Sequence, residues 1–254
     1  MDRVKTGITG LDEMLHGGLV PRAATLVEGA PGTGKTTLGM QFIHQGIVAY
    51  DEPGLILTFE QFPKQYYRDA AALGWDFRQM EEEGKLKIVM TSPEVTRLDL
   101  ERVGGNIQRM AHQMGAKRIL VDSLSHFERL TEDPVQLRQV IYSFINGLKR
   151  EGLTAILTRE SQALLGEAEG FDQGLAFLVD AYIVLRYVEI ESAVHKALLV
   201  LKMRGSNHDK DIRQFSITNH GIVVKSRFEG REGVLSGNPR RSMADSFVQA
   251  FVRR

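Results

Sequence analysis

The chain of 254 residues contains no cysteine. Disulfide bonds, thiolate catalysis and metal sites with cysteine ligands are therefore excluded. The formal net charge at pH 7 is zero, so the protein has no overall field that would attract nucleic acid or an anionic membrane. We accordingly expect neither DNA nor a membrane as a partner, although a local basic patch is compatible with this balance.

Long apolar segments are also missing. No stretch approaches the roughly 20 apolar residues that cross a bilayer. The first five residues lead into no apolar segment of the kind that secretory signal peptides contain. With 43% hydrophobic and 25% charged residues, the composition is that of an ordinary globular protein. We expect a cytoplasmic protein.

A glycine-rich stretch at residues 29–37, GAPGTGKTT, lies between an apolar run and a helical pattern. It matches G-x-x-x-x-G-K-[ST], the phosphate-binding P-loop, in which glycine lets backbone N–H groups approach phosphate oxygens. Lys35 would contact the β- and γ-phosphates of a nucleotide, and the Thr36 hydroxyl would bind Mg²⁺. The predicted nucleotide contacts are Gly29, Pro31, Gly32, Thr33, Gly34, Lys35, Thr36 and Thr37.

Two acidic residues, Asp122 and Glu60, each follow an apolar run that predicts a buried strand. The carboxyl ends of parallel strands meet at one edge of an α/β sheet, where ligands bind. We predict that Asp122 and Thr36 hold Mg²⁺, and that Glu60 orients or deprotonates an attacking water. Thr158 and Glu160 end a further strand, either as sensors of the γ-phosphate or as simple polar strand ends.

Strand and helix patterns alternate over the first two thirds of the chain. This alternation predicts an α/β fold with a mainly parallel central sheet and helices on both faces. Four strand patterns then follow without helices between them, so we expect a C-terminal antiparallel extension at one edge. A single domain would cover residues 1–230, and a tail at residues 231–254 would contain a short amphipathic helix at 243–252.

The sequence predicts a cap for one helix and the extent of another. Thr9 is a predicted N-cap of a short helix that ends before Gly17 and Gly18. Residues 99–114 are predicted to form one helix, although each of the two glycines inside it costs about 1 kcal/mol relative to alanine.

One strand rich in leucine and valine ends in an unusual cluster. Lys202, Met203 and Arg204 close the strand, and Ser206 and His208 lie in the turn after it. Two cations, a hydroxyl and an imidazole suit recognition of phosphate and base. They would act within one chain or across a subunit interface, in an arginine-finger arrangement.

Together these motifs resemble the KaiC family within the RecA/RadA superfamily. The resemblance covers nearly the whole chain and looks closest to the second of the two tandem KaiC domains. It implies a RecA-like P-loop NTPase that assembles as a hexameric ring, with ATP between subunits. It rests on residues 6–12, Gly17 and Gly18, the P-loop, residues 58–60, 120–124 and 187–190, and residues 202–206 with His208.

The resemblance also implies a division of roles between subunits. One subunit would provide the P-loop, Glu60 and Asp122, and Lys35, Glu60 and Arg204 would be the catalytic residues. Lys196 stands where the matching KaiC domain has arginine, so the charge is kept without the bidentate fork. The neighbouring subunit would offer Lys196, Lys202, Met203, Arg204, Ser206 and His208 to the γ-phosphate, ribose and base.

The chain departs from the family pattern at two places. Gln61 replaces the second of two adjacent glutamates, and a carboxamide cannot accept a proton. Ala176 and Phe177 stand at the phosphoacceptor positions of the clock protein, and neither has a hydroxyl. We therefore predict a regulatory ring ATPase with slow Mg-dependent ATP hydrolysis, no KaiC-type autophosphorylation at these positions and a regulatory protein as a further partner. The alternatives are a DNA-dependent recombination or helicase motor, an ATP-switched signalling module and a Ser/Thr kinase.

Overall fold

The computed structural model describes residues 2–102, 104–161, 173–228, 231–232 and 240–241. A nine-stranded sheet forms the centre of the protein. Its strands are β1 (Ala24–Gly29), β2 (Gly54–Thr58), β3 (Leu86–Met90), β4 (Arg118–Asp122), β5 (Thr154–Glu160), β6 (Ala181–Ile190), β7 (Ala193–Met203), β8 (Arg213–Thr218) and β9 (Gly221–Arg227).

The strand order is β3-β2-β4-β5-β1-β6-β7-β8-β9. All neighbours from β3 to β6 pair in parallel, and β6 to β9 pair antiparallel. The predicted α/β fold, with a mainly parallel sheet and a C-terminal antiparallel extension, is confirmed. The carboxyl ends of β1, β2, β4 and β5 lie at one edge, which we call the carboxyl edge; the opposite one is the amino edge.

Helices cover both faces of the sheet because successive strand residues point to opposite sides. Ile56 lies in one core with Phe42, whereas its neighbour Leu57 lies in the other with Phe144. The helices are α1 (Leu11–Met14), α2 (Lys35–Tyr50), α3 (Pro63–Ala71), α4 (Phe77–Glu82), α5 (Pro93–Glu101), α6 (Asn106–Met114), a 3₁₀ helix (Leu124–Arg129), α7 (Pro134–Arg150) and α8 (Gln173–Ala176).

The single helix predicted over residues 99–114 is wrong. Two helices, α5 and α6, occupy this region, and Gly104 turns between them with a φ of 76°. The Asp99 carboxylate accepts hydrogen bonds from the backbone N–H groups of Asn106 and Ile107, both at 2.7 Å, and so caps the second helix. The glycine pair is therefore a turn signal, not a tolerated irregularity inside one helix.

The predicted cap at Thr9 is also wrong. Gly10 is the N-cap of α1, with a φ of 80° and no side-chain cap hydrogen bond. The local order comes from Asp12, whose carboxylate accepts from the N–H and hydroxyl of Thr6 at 2.7 and 2.8 Å and from the N–H of Gly7 at 3.1 Å.

The tail contributes one short pairing. Arg231–Glu232 (β10) pairs antiparallel with Arg240–Arg241 (β11). The amphipathic helix predicted at 243–252 lies outside the described residues. Among the residues that the structure describes, no helix has the length and apolar character needed to cross a membrane.

Candidate nucleotide-binding site

The P-loop connects the end of β1 to the start of α2, as its sequence predicts. Gly32 and Gly34 have φ values of 75° and 109°, in the left-handed region that favours glycine. The ammonium group of Lys35 donates to the carbonyl oxygen of Ala30 at 3.0 Å, and the Thr33 hydroxyl donates to the same oxygen at 2.8 Å. The loop therefore opens onto the N-terminus of a 16-residue helix, where backbone N–H groups and the helix dipole favour an anion.

Lys35 lies in a charged environment. Burial lowers the pKa of its ammonium group, while the carboxylates of Glu160, Asp122 and Glu28 act in the opposite direction. A phosphate group placed in the loop would favour the charged form further. The side chain is thus poised to gain stabilisation when an anion binds.

Three hydroxyl groups surround the Asp122 carboxylate at the end of β4. Thr36 and Tyr66 each donate to Oδ2 at 2.8 Å, and Thr158 donates to Oδ1. Asp122 is the register partner of Thr58 on β2. The structure therefore brings Asp122 and Thr36 together as predicted and places Thr158 beside them.

Tyr66 is a site residue that sequence reasoning missed. It lies on α3, its side chain is 1% exposed, and burial together with the Asp122 charge raises the pKa of its hydroxyl. Its neighbour Tyr67 instead donates to Glu81. The two adjacent tyrosines are equivalent in sequence, so only the tertiary packing of α3 tells which one reaches the carboxylate.

The residues at this corner fit a magnesium ion. The Thr36 hydroxyl and the Asp122 carboxylate offer two hard oxygens 2.8 Å apart. Within the described ranges, no group of three or more His, Cys, Asp or Glu side chains forms a metal cluster. Mg²⁺ commonly takes one or two protein ligands and completes its shell with phosphate oxygens and water.

A pocket of about 110 Å³ at the carboxyl edge is lined by two of the three predicted catalytic residues, Lys35 and Glu60. Glu60 lines it with its side chain 74% exposed, and its carboxylate lies 3.4 Å from Nε2 of His126. An exposed carboxylate is accessible to water, as an activating group requires. The pocket is lined by Lys35, Thr36, Thr58, Glu60, Gln61, Tyr66, Asp122, Ser123 and Glu160.

The basic cluster after β7 lies elsewhere. Because β7 runs antiparallel, its last residues reach the amino edge, where Met203 pairs with the first residue of β6. Lys202 donates to the carbonyl oxygens of Ala176 and Val179 at 2.6 and 3.0 Å, and Arg204 donates to that of Phe177. Neither cation reaches the P-loop of its own chain.

The other residues predicted to contact a nucleotide lie in different environments. Arg3 donates to the Ser206 hydroxyl, and burial lowers the pKa of the half-buried His208 imidazole. The Met203 side chain is 7% exposed and belongs to the hydrophobic core, so it would contact a nucleotide only through its backbone. Lys196, at the other end of β7, donates to the Gly32 carbonyl in the P-loop of its own chain at 2.7 Å.

Comparison with known proteins agrees with this architecture. A family model described as the ATPase KaiC matches residues 4–229. The circadian clock protein KaiC3 of Synechocystis sp. is 37% identical over 237 residues, which are 93% of this chain and 46% of that protein. The circadian clock oscillator protein KaiC of Synechococcus elongatus is 35% identical over 245 residues, which are 96% and 46% of the two chains.

A relative of similar length is the UPF0273 protein MJ1359 of Methanocaldococcus jannaschii. It is 35% identical over an alignment of 241 residues that covers 88% of this chain and 96% of that protein. The chain spans about half the length of the KaiC relatives and nearly all of this one. With the P-loop, Asp122 and the RecA-like sheet in place, the protein belongs to the KaiC family of ATPases.

Proposed function

We propose that the protein is a regulatory ATPase that binds Mg·ATP and hydrolyses it slowly at the subunit interfaces of a KaiC-like ring. One observation carries the proposal: Lys35, Asp122 and Glu60 line one pocket at the carboxyl edge, whereas Lys202 and Arg204 lie at the amino edge of the same sheet. The two halves of the site cannot meet within one chain, so a second copy would complete it.

Each residue of the pocket has a role that its chemistry suits. Lys35 and the loop N–H groups would bind the β- and γ-phosphates. Mg²⁺, held by Thr36 and by Asp122 directly or through water, would neutralise charge on the phosphate oxygens. The exposed Glu60 carboxylate would orient the attacking water or accept its proton. Gln61, beside it in the pocket, can donate and accept hydrogen bonds but cannot take the proton.

A neighbouring subunit would supply the remaining positive charge. Lys202 and Arg204 would stabilise the transferring phosphoryl group, in the arrangement of an arginine finger. Ser206, His208 and the backbone of Met203 would contact the ribose and base. The hexamer, the interface and a regulatory protein partner belong to this proposal and rest on the resemblance of the chain to KaiC.

A self-phosphorylating kinase is not favoured. The carbonyls that Lys202 and Arg204 contact belong to the segment of Ala176, Phe177 and Val179, whose side chains have no hydroxyl. Cations at this place in the chain therefore lie beside residues that cannot accept a phosphoryl group. Water is the acceptor that the pocket suits.

Replacing Glu60 with glutamine tests the proposed hydrolysis. Glu60→Gln should lower ATP turnover roughly 10²- to 10⁴-fold, because the water loses its carboxylate partner, while nucleotide affinity stays within about twofold. Glu82→Gln, the same change on the exposed face of α4, is the control. Full turnover by Glu60→Gln, measured as phosphate release, would contradict the proposed role.

A further inference from the structure

The hairpin formed by β6 and β7 overhangs the P-loop. β1 ends at Gly29, which pairs with Leu185, whereas β6 continues beyond that pair. A two-residue turn at Glu191 and Ser192, both with positive φ, then leads into β7. We call residues 186–197 the overhanging hairpin.

Two side chains of the overhanging hairpin contact the P-loop of the same chain. Lys196 Nζ donates to the carbonyl oxygen of Gly32 at 2.7 Å, and the Tyr187 hydroxyl donates to that of Pro31 at 3.3 Å. Tyr187 and Lys196 are direct partners in the antiparallel ladder, and the ammonium group lies 5.5 Å from the centre of the tyrosine ring. The ring therefore helps to hold the cation over the carbonyl.

These contacts fix the direction in which peptide groups of the P-loop point. In a trans peptide the C=O and N–H groups point in opposite directions. When Tyr187 holds the Pro31 carbonyl on the hairpin side, the N–H of Gly32 is turned away from the hairpin. A Cβ on Gly32 would lie 2.7 Å from the Tyr187 hydroxyl, so this close approach also depends on glycine.

We propose that Lys196 is a positioning residue for the P-loop of its own chain, and not a contact to the nucleotide of a neighbouring subunit. Lys196 and Arg204 are separated by roughly 25 Å along an extended strand, so they serve different nucleotides. The N-terminal part of β7 shapes the P-loop of its own chain. The C-terminal end of β7 would contact the nucleotide bound by the neighbouring subunit, a part of the inference that rests on the proposed interface site.

Nucleotide affinity tests the contact with the loop. Binding of Mg·ADP, which cannot be hydrolysed, should weaken roughly tenfold in Lys196→Met, because the variant keeps the chain length and loses the charged donor. Lys196→Arg should restore most of the affinity, and Tyr187→Phe should show a smaller loss. Lys225→Met, on exposed β9, is the control. Equal affinities of Lys196→Met and Lys225→Met would overturn the proposal.

Mixing of subunits tests which chain Lys196 acts on. Lys35→Ala subunits have no functional P-loop but carry an intact Lys196 and Arg204. If Lys196 acts in its own chain, adding them to Lys196→Met subunits should leave turnover at the level of Lys196→Met alone. Restored turnover in that mixture would overturn the proposal.

A parallel mixture separates this proposal from the interface site. Lys35→Ala subunits should restore turnover to Arg204→Ala subunits, because the intact Arg204 reaches the neighbour's P-loop. Failure of that mixture would contradict the interface site. The Mg·ADP affinity of Lys196→Met would still decide whether Lys196 positions its own loop.

Discussion

The hydroxyl of Thr36 donates a hydrogen bond of 2.8 Å to the carboxylate of Asp122, across 86 positions of sequence. This contact joins the first turn of α2 to the end of β4. Both oxygens occupy the same corner of the pocket as Lys35. Two oxygens of the kind that Mg²⁺ binds are therefore adjacent in this pocket.

Tyr66 should tune the metal requirement of the enzyme. Tyr66→Phe removes one of the three hydroxyl donors that hold Asp122, so the Mg²⁺ concentration for half-maximal turnover should rise about tenfold. The free energy of unfolding should fall by about 1 kcal/mol. Tyr67→Phe is a matched control on the same helix, because that hydroxyl contacts Glu81 instead. The same magnesium requirement in both variants would disprove the role of Tyr66.

Arg204 should affect catalysis without affecting nucleotide binding by its own chain. Arg204→Ala is expected to lower turnover of the assembled protein by about 10³- to 10⁵-fold, the effect of removing an arginine finger. Its Mg·ADP affinity should match that of Arg227→Ala, a control at the exposed end of β9. Equal turnover of the assembled Arg204→Ala and Arg227→Ala proteins would exclude the finger role.

A buried charge cluster supports the strand that leads into the P-loop. Glu28 is 4% exposed and accepts from Tyr182 at 2.7 Å, with Arg159 at 3.2 Å and Arg186 at 3.9 Å. Glu28→Gln removes a carboxylate that contacts both arginines, while Arg159 keeps its contact with Glu128 at 3.2 Å, so urea unfolding should show a loss of about 3–5 kcal/mol. Glu189→Gln, a change at an exposed position of β6, should lower the free energy of unfolding far less. Similar stabilities for the two variants would show that the cluster contributes little.

Lys35 gives the nucleotide affinity a pH dependence. Burial lowers its pKa below the ordinary lysine value of 10.5, and only the charged form attracts phosphate. Affinity for Mg·ADP should therefore fall as pH rises through the lowered pKa, by up to about tenfold per unit. Binding favours the charged form, so nucleotide and proton bind together in this range.

The contribution of Lys35 can be isolated by measuring Mg·ADP affinity from about pH 8 to pH 10.5. Lys85→Met, at an exposed ion pair with Glu83, should retain the alkaline loss of affinity. Lys35→Met should bind weakly at every pH in the range. An affinity of the unaltered protein that stays constant up to pH 10.5 would contradict the assignment to Lys35.

The features predicted from sequence are those that local patterns determine. The P-loop spacing fixed the position of Lys35, and apolar runs ending in Asp122 and Glu160 predicted strands that end at one edge of the sheet. A parallel sheet then brings such ends together without further information. The alternation of strands and helices was sufficient for the fold class, and the change to consecutive strands was sufficient for the antiparallel extension.

The features that sequence reasoning missed depend on contacts between distant segments. Tyr66 lies on α3, which packs against α4 and β3, and from there it reaches Asp122, 56 positions away; its neighbour Tyr67 carries the same local signal. The contact of Lys196 with Gly32 depends on the register of β6 and β7 beyond the end of β1. The break between α5 and α6 occurs at the glycine pair, and the Asp99 carboxylate then caps α6, a contact that a helix pattern does not reveal.

The dependence of turnover on assembly tests the proposed function most directly. Molecular mass and ATP turnover per subunit should be measured on the same samples over a range of protein concentrations, with and without nucleotide. If Arg204 of one chain completes the site of another, turnover per subunit will rise in step with the fraction of assembled protein. A monomer that hydrolyses ATP at the full rate would contradict the interface site.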